Sequence, residues 1–367
     1  MRLRHVWLSD FRNYQSADLD LAGGLTVVMG GNGEGKTNLL EAIGYLATLA
    51  SFRGAPPDAM VRQGCERAVV RGEGEREGRD LLVEAEIPRT GRGRVAVNRQ
   101  PLRRSGDLLG ALRASVFSPD DLELVKGGPA GRRRYLDDAL VGVHPRNDAL
   151  RRDLERIVRQ RTTLLRQAGG RLTPDVATTL EVWDAKLVEV GEALAAARAE
   201  LVDRLQPALA RAYAQVAQGS AKTCVSARYE AHWRDSGLAA ALEAARDEEL
   251  RRGMSLVGPH RDDLALSVSG MPARTHASQG EQRSLALALR LAAHAVVGEA
   301  VGEPPFLLLD DVFSELDAGR SRALLDHLAA TSFGHAPGGQ AVLTTAESLP
   351  PGAEPDLVVR IAGGRIG

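Results

Sequence analysis

With 367 residues, the chain has room for two domains or for one domain carrying an insertion, and its 44% apolar residues allow a substantial core. A net charge of −1 excludes a global attraction to nucleic acid, so any DNA site must be a local patch. Cys65 and Cys224 stand far apart and form no Cys-x-x-Cys pair, so they read as ordinary thiols of a reducing cytosol rather than a disulfide framework.

No charged-then-apolar leader opens the chain, and no uninterrupted apolar run is long enough to span a bilayer. A soluble cytoplasmic protein without membrane attachment is expected. Leu3–Leu8 and Ala17–Leu21 alternate or run apolar and predict strands, as does Leu25–Met29. The third leads into Gly30-Gly31-Asn32-Gly33-Glu34-Gly35-Lys36-Thr37, which fits G-x-x-x-x-G-K-[ST] with no mismatch. Asn38–Leu49 then predicts a helix, with Leu39, Leu40, Ile43, Leu46 and Leu49 apolar. Strand, loop and helix are the context a phosphate-binding loop requires. The loop's N–H groups and the helix N-terminus favour a triphosphate, ATP or GTP. Lys36 would reach the β- and γ-phosphates, and Thr37 would ligate Mg²⁺.

Further strands are expected at Leu81–Ile87 and Arg94–Val97. Helical spacing in Asn147–Gln167 and in the Leu180–Leu201 seam predicts a short antiparallel helical hairpin, broken by Gly169-Gly170 and Pro174. Pro207 is expected to bend or end the second helix. The α/β pattern returns near Met254, with a helix start at Ser278–Ala293 and strands at Phe306–Leu309 and Ala341–Thr344. The expected fold is an α/β P-loop ATPase split into residues 1–120 and 254–367. An inserted helical lobe would fill residues 121–253.

Two further motifs bear on the nucleotide. The strand Phe306–Leu309 ends in Asp310-Asp311. In P-loop ATPases the first such acid holds Mg²⁺ with the loop Thr, and the second is the candidate general base. Ser278-Gln279-Gly280-Glu281-Gln282 satisfies the S-x-x-E capping pattern, and a capped helix end can still be offered to a γ-phosphate. Its place before the Asp-Asp strand resembles the signature motif of the ATP-binding-cassette superfamily, in which the signature of one subunit closes on the nucleotide of the other.

Asp10-Phe11-Arg12-Asn13-Tyr14, the P-loop, Gly258-Pro259-His260-Arg261-Asp262-Asp263 and Asp310–Asp317 together resemble the RecF family, bacterial recombination-mediator ATPases related to the SMC type. The resemblance covers essentially the whole chain. It implies an ABC-type, SMC-like head with a short helical lobe. It also implies an ATP-dependent homodimer, slow DNA-stimulated ATP hydrolysis, duplex DNA binding near gaps or junctions, and partnership with RecR in loading RecA. By motif, Gly30–Thr37 and Asn38 bind phosphate and Mg²⁺, with Arg12 and Asn13 near the nucleotide. Ser278, Gln279 and Gly280 act in trans. Asp310 serves the metal, Asp311 is the base, and Asp317 lies at the dimer seam. Two departures stand out. Phe117–Asp121 carries no Gln where cassette ATPases have one, and Thr344-Thr345 replaces the usual His.

The chain's basic residues are nearly all Arg, a bias that a GC-rich genome also produces. Candidate DNA contacts are Arg132, Arg133 and Arg134, and Arg152, Arg156 and Arg159 at helical spacing. The acid-free window Arg89–Arg104 is a further basic stretch. Scarce aromatics favour duplex backbone over single-strand stacking. Competing readings are the ATPase subunit of a membrane transporter and a small-molecule phosphotransferase.

Overall fold

In the computed structural model, which describes residues 2–217, 224–329, 339–346 and 348–367, the chain divides into two compact units. Unit 1 comprises Met1–Leu122, Arg211–Thr223 and Arg283–Gly367; unit 2 comprises Glu123–Ala210 and Cys224–Gln282. The strands of the first segment are β1 (Arg2–Phe11), β2 (Tyr14–Asp20), β3 (Leu25–Met29), β4 (Arg67–Arg76), β5 (Arg79–Pro88), β6 (Arg94–Val97), β7 (Gln100–Pro101) and β8 (Ala114–Phe117). Unit 2 supplies β9 (Val225–Glu230), β10 (Asp263–Val268) and β11 (Met271–Pro272). The last segment supplies β12 (Phe306–Leu309), β13 (Ala341–Thr345), β14 (Leu357–Ala362) and β15 (Arg365–Ile366).

Unit 1 holds two sheets. One is antiparallel, in the order β2-β1-β4-β5-β6-β7. The other runs β15-β14-β3-β13-β12-β8, parallel except for β15. The helix Lys36–Thr48 packs against strands of both, and its Leu39, Leu40, Ile43 and Leu46 are fully buried. They share one core with Leu3 and Val6 of β1 and Leu308 and Val342 of the parallel sheet. Strand β12 is buried at every position, as its unbroken apolar run implies.

Strand β4 is absent from the sequence-based expectation, and its glycines explain why. Its inward positions are Ala68, Val70, Gly72 and Gly74, so the apolar alternation fades halfway along. A Cβ at Gly74 would lie 2.0 Å from the Arg2 carbonyl oxygen, beside the register shift between Leu3 and His5. Close backbone approach, not turn formation, demands that glycine.

In unit 2, β9 and β10 pair antiparallel, with β11 beyond. This pairing holds the stretch after Met254 within unit 2, so the chain returns to unit 1 at Arg283 and not at 254. The helices Asn147–Ala168 and Pro174–Val216 reverse through Gly169 and Gly170, both at positive φ. Their contacts run in opposite directions. Arg161 meets Asp184, and Leu165, one turn later, clusters with Leu180, one turn earlier. The expected hairpin therefore forms, and Leu250 of the helix Leu238–Arg252 completes that cluster.

Pro207 corrects one expectation. The helix continues through it to Val216, 43 residues in all, and spans about 64 Å at 1.5 Å per residue. Its flanks explain the tolerance: Leu205, Ala208 and Leu209 are buried, and that burial opposes the cost of a proline.

The helix Gln279–Val301 is long and apolar enough to cross a membrane by length and composition, but Arg290 and Glu299 interrupt it, so it is not the uninterrupted apolar run that the sequence was expected to lack. Its Leu285, Ala288, Leu289, Leu291 and Ala292 are buried within the protein, as in the core helix of a globular fold.

Candidate nucleotide site

The P-loop leaves the carboxyl end of β3, and Asp310 leaves the carboxyl end of β12. Strand β13 lies between them. Sites on parallel sheets form at these strand ends. Gly33 and Gly35 take φ of 83° and 118°, which only glycine adopts without strain. A Cβ at Gly30 would fall 2.4 Å from the Ile361 carbonyl oxygen.

The loop is held from below. Asn13 Nδ2 donates to the Glu34 carbonyl at 3.0 Å, and the Tyr14 hydroxyl donates to the Gly35 carbonyl at 3.0 Å. Burial holds the Tyr14 hydroxyl well above the ordinary tyrosine range, which keeps it a donor. Asn38 Nδ2 donates to Asn13 Oδ1 at 2.8 Å. The Glu34 carboxylate accepts from the Gly363 N–H in the β14–β15 turn. Lys36 Nζ donates to the Gly30 and Gly31 carbonyls at 2.7 and 2.8 Å, so the ammonium lies along the loop.

Thr37 Oγ1 donates to Asp310 Oδ1 at 2.9 Å. Thr344 Oγ1 donates to the same carboxylate oxygen at 3.0 Å and accepts from the Asp311 N–H at 2.9 Å. Burial pushes the Asp310 carboxyl above its usual range, against the two hydroxyl bonds that lower it. A divalent cation would favour the charged form. Asp311 sits at φ 48°, a left-handed conformation that costs a non-glycine residue about 1 kcal/mol or more. Among the described residues nothing hydrogen-bonds its carboxylate, which suits a base awaiting water.

Thr344 thus orients both acids, a role the sequence flagged only as a missing His. Register explains it: Leu343 pairs with Leu309, which sets Thr344 opposite Asp310. The slot without Gln also has an occupant that sequence reasoning missed. Asp121 accepts from Arg290 Nε and Nη2 at 2.9 and 2.6 Å and from the Ser118 N–H at 3.0 Å.

Arg12 has protein partners beside the loop. Its guanidinium makes a two-bond fork with the buried Glu41 at 2.8 and 2.7 Å and donates to the Ala59 carbonyl at 2.7 Å. These bonds tie Arg12 to the P-loop helix and to the Ala59 carbonyl and use three of its five N–H groups, which leaves two for the expected contact with the nucleotide.

Ser278, Gln279 and Gly280 lie in unit 2, and Ser278 and Gln279 are exposed. Ser278 and Glu281 form a reciprocal capping box: Ser278 N–H and Oγ both donate to Glu281 Oε2 at 2.8 Å. The Glu281 carboxyl is held below its usual range by those bonds. Asp317 caps the helix Ala318–Leu328 by accepting from the Arg320 N–H at 2.9 Å.

The DNA candidates separate. Arg132 is buried and forks onto Asp263 at 2.7 and 2.8 Å, a correction to its expected place on a basic surface. Arg133 is half-buried and donates to the Asp262 carbonyl at 2.8 Å. Arg134, Arg152, Arg156 and Arg159 are exposed, although Arg152 pairs with Asp148 and Arg156 with Asp153, both at 2.8 Å. The Gly258–Asp263 block organises unit 2. Asp262 accepts from the Tyr229 hydroxyl at 2.5 Å and Trp233 Nε1 at 2.8 Å, and the Pro259 carbonyl accepts from Arg198 at 2.8 Å.

Residues 2–344 match the family model described as the RecF/RecN/SMC N terminal domain. The DNA replication and repair protein RecF of Frankia alni is 44% identical over 383 residues, covering 100% of this chain and 97% of that protein. A solved structure of the recombination mediator RecF-ATPrS in the RecFOR pathway aligns at a TM-score of 0.89 and 27% identity, covering 100% of this chain and 97% of that one. The RecF-ATP structure of the same pathway aligns at 0.88 and 28%, covering 100% and 96%. These matches show that the chain belongs to the RecF family of SMC-like, ABC-type head ATPases.

Proposed function

We propose that the chain is an ATP-switched DNA-repair protein of the recombination-mediator type. The observation that carries this reading is the bonded set Thr37–Asp310–Thr344–Asp311 beside the P-loop. The relatives are named for DNA replication and repair, and a RecF structure with ATP aligns along the full chain.

The residues fit Mg²⁺-ATP. Among the described residues no group of three His, Cys, Asp or Glu could hold a metal alone. A Thr hydroxyl and one carboxylate are what Mg²⁺ takes when phosphates and water complete its shell. When bound, Mg²⁺-ATP supplies the phosphoanhydride that is cleaved and the anion that draws two copies together. Gly30–Gly35 and Asn38 would line the phosphates, Lys36 would neutralise β- and γ-oxygens, and Thr37 with Asp310 would hold the cation. Asp311 would take a proton from the attacking water, with Thr344 fixing its backbone. Ser278, Gln279 and Gly280 would meet the γ-phosphate of a second copy, after Glu281 yields the helix N-terminus. Duplex DNA at gaps or junctions, RecR as partner and RecA loading complete the proposal, in the cytoplasm.

Hydrolysis by the full chain, with and without duplex DNA, tests the reading. DNA should stimulate a slow basal rate with no membrane partner present. Asp311→Asn should keep Mg²⁺-ATP bound while slowing cleavage about 10²–10⁴-fold, the usual contribution of a general base. A rate indifferent to DNA, or rescued only by a membrane partner, would favour the transporter subunit instead.

A further inference from the structure

Arg89, Arg92, Arg94, Arg99, Arg103 and Arg104 are all exposed around the β6–β7 end of the antiparallel sheet. No acidic residue interrupts the segment from 89 to 104. Among the described residues none of the six is in an ion pair. Two of the neighbouring outer carboxylates have other partners: Glu84 pairs with Arg71 at 2.8 Å. Glu86, the cross-strand neighbour of Arg94, pairs with Arg67 at 3.5 Å. This differs from the helical candidates, where Arg152 and Arg156 are offset by aspartates within one turn.

The hairpin tip supplies an independent observation. Val97 pairs with Gln100, so Asn98 and Arg99 form a two-residue turn, at φ 49° and 64°. Glycine is favoured at the second position of such a turn, yet an arginine stands there. Asn98 fixes the tip: its Oδ1 accepts from the Leu82 N–H at 2.7 Å and its N–H donates to the Leu82 carbonyl at 2.8 Å. The chain thus holds a cation in a strained, anchored position that glycine would take without strain. Strain of this kind points towards function.

We propose that the β6–β7 hairpin and its flanking arginines form a contact surface for the phosphate backbone of duplex DNA. The inference rests on the DNA-binding function proposed above and names its place. Guanidinium forks match phosphate oxygens in pairs. The segment has no aromatic residue, which removes base stacking and disfavours a single strand. It presents no large exposed apolar side chain to enter a bilayer. Pro101 on the edge strand blocks a ladder bond and discourages addition of a protein strand.

Binding of full-length protein with ATP to a fluorescent duplex, over a salt series, tests the surface. Arg99→Gly should keep or raise the melting temperature, because glycine takes the left-handed turn without strain. The same change should reduce the salt slope by about 0.9 and weaken binding about eightfold at 0.1 M salt, the effect of one lost phosphate contact. Replacing Arg92, Arg94, Arg103 and Arg104 together by Gln should reduce the slope by up to about 3.6. Wild-type binding with both slopes unchanged would overturn the surface but spare the function. Absence of any wild-type duplex binding would overturn both. Loss of binding confined to phosphatidylserine vesicles, with DNA binding intact, would assign the patch to lipid and overturn the proposal.

Discussion

Lys36→Met should lower ATP affinity by about 10- to 150-fold. Lys36 is 7% exposed, and its ammonium already lies along the P-loop against the Gly30 and Gly31 carbonyls. A charge-assisted bond to phosphate is worth about 1.5–3 kcal/mol net, which corresponds to that range of affinity. The loop itself should keep its shape. The variant loses the two Lys36 bonds to the Gly30 and Gly31 carbonyls but keeps Gly33, Gly35 and the bonds from Asn13 and Tyr14 that hold the loop. Calorimetric titration with ATP reads the effect, and unchanged affinity in a folded variant would contradict the assignment of this loop.

Arg161→Met should cause the largest loss of stability, about 3–5 kcal/mol, as when one partner of a buried ion pair is removed. Arg161 is fully buried and donates to Asp184 at 2.6 Å, Glu249 at 2.6 Å and the Ser255 hydroxyl at 3.0 Å. Glu249 is equally buried, and Met would leave its carboxylate without a counter-charge. Adding Glu249→Gln should recover part of the loss. The amide removes the stranded charge while its oxygen can still accept from the Leu256 N–H, now at 2.7 Å. Urea unfolding of the single and double variants measures both effects. A loss below about 1 kcal/mol in the single variant would mean that water reaches the cluster.

These two residues mark what the sequence makes legible. The P-loop is local: the eight consecutive positions Gly30–Thr37 and two flanking runs carry its fold and chemistry together, so it reads directly. The same holds for Asp310-Asp311, because the strand before it is uniformly apolar. Arg161 belongs to the other kind. Arginine reads as surface, and only the meeting of three helices shows that it is buried. Arg132 misled for the same reason: its neighbours Arg133 and Arg134 suggest a basic run, whereas one of the three points inward to Asp263. Thr344 and Asp121 act through partners far away in sequence, Asp310 and Arg290, which no spacing rule connects. Strand β4 was hidden by inward-facing glycines, and Pro207 misled because tertiary burial outweighed a local preference. Arg12 reads as a residue near the nucleotide, but its fork onto Glu41, one turn into the P-loop helix, joins positions that no local pattern connects.

The central claim is that ATP joins two copies through Ser278 of one and the P-loop of the other. Sedimentation velocity of the wild type and of Ser278→Arg, each with Mg²⁺-ATP and with ADP, tests it most directly. Wild type should sediment as a dimer with ATP and as a monomer with ADP. Ser278→Arg should bind ATP with near-normal affinity and remain a monomer. A wild type that stays monomeric with ATP, or a Ser278→Arg monomer that no longer binds ATP, would contradict the claim.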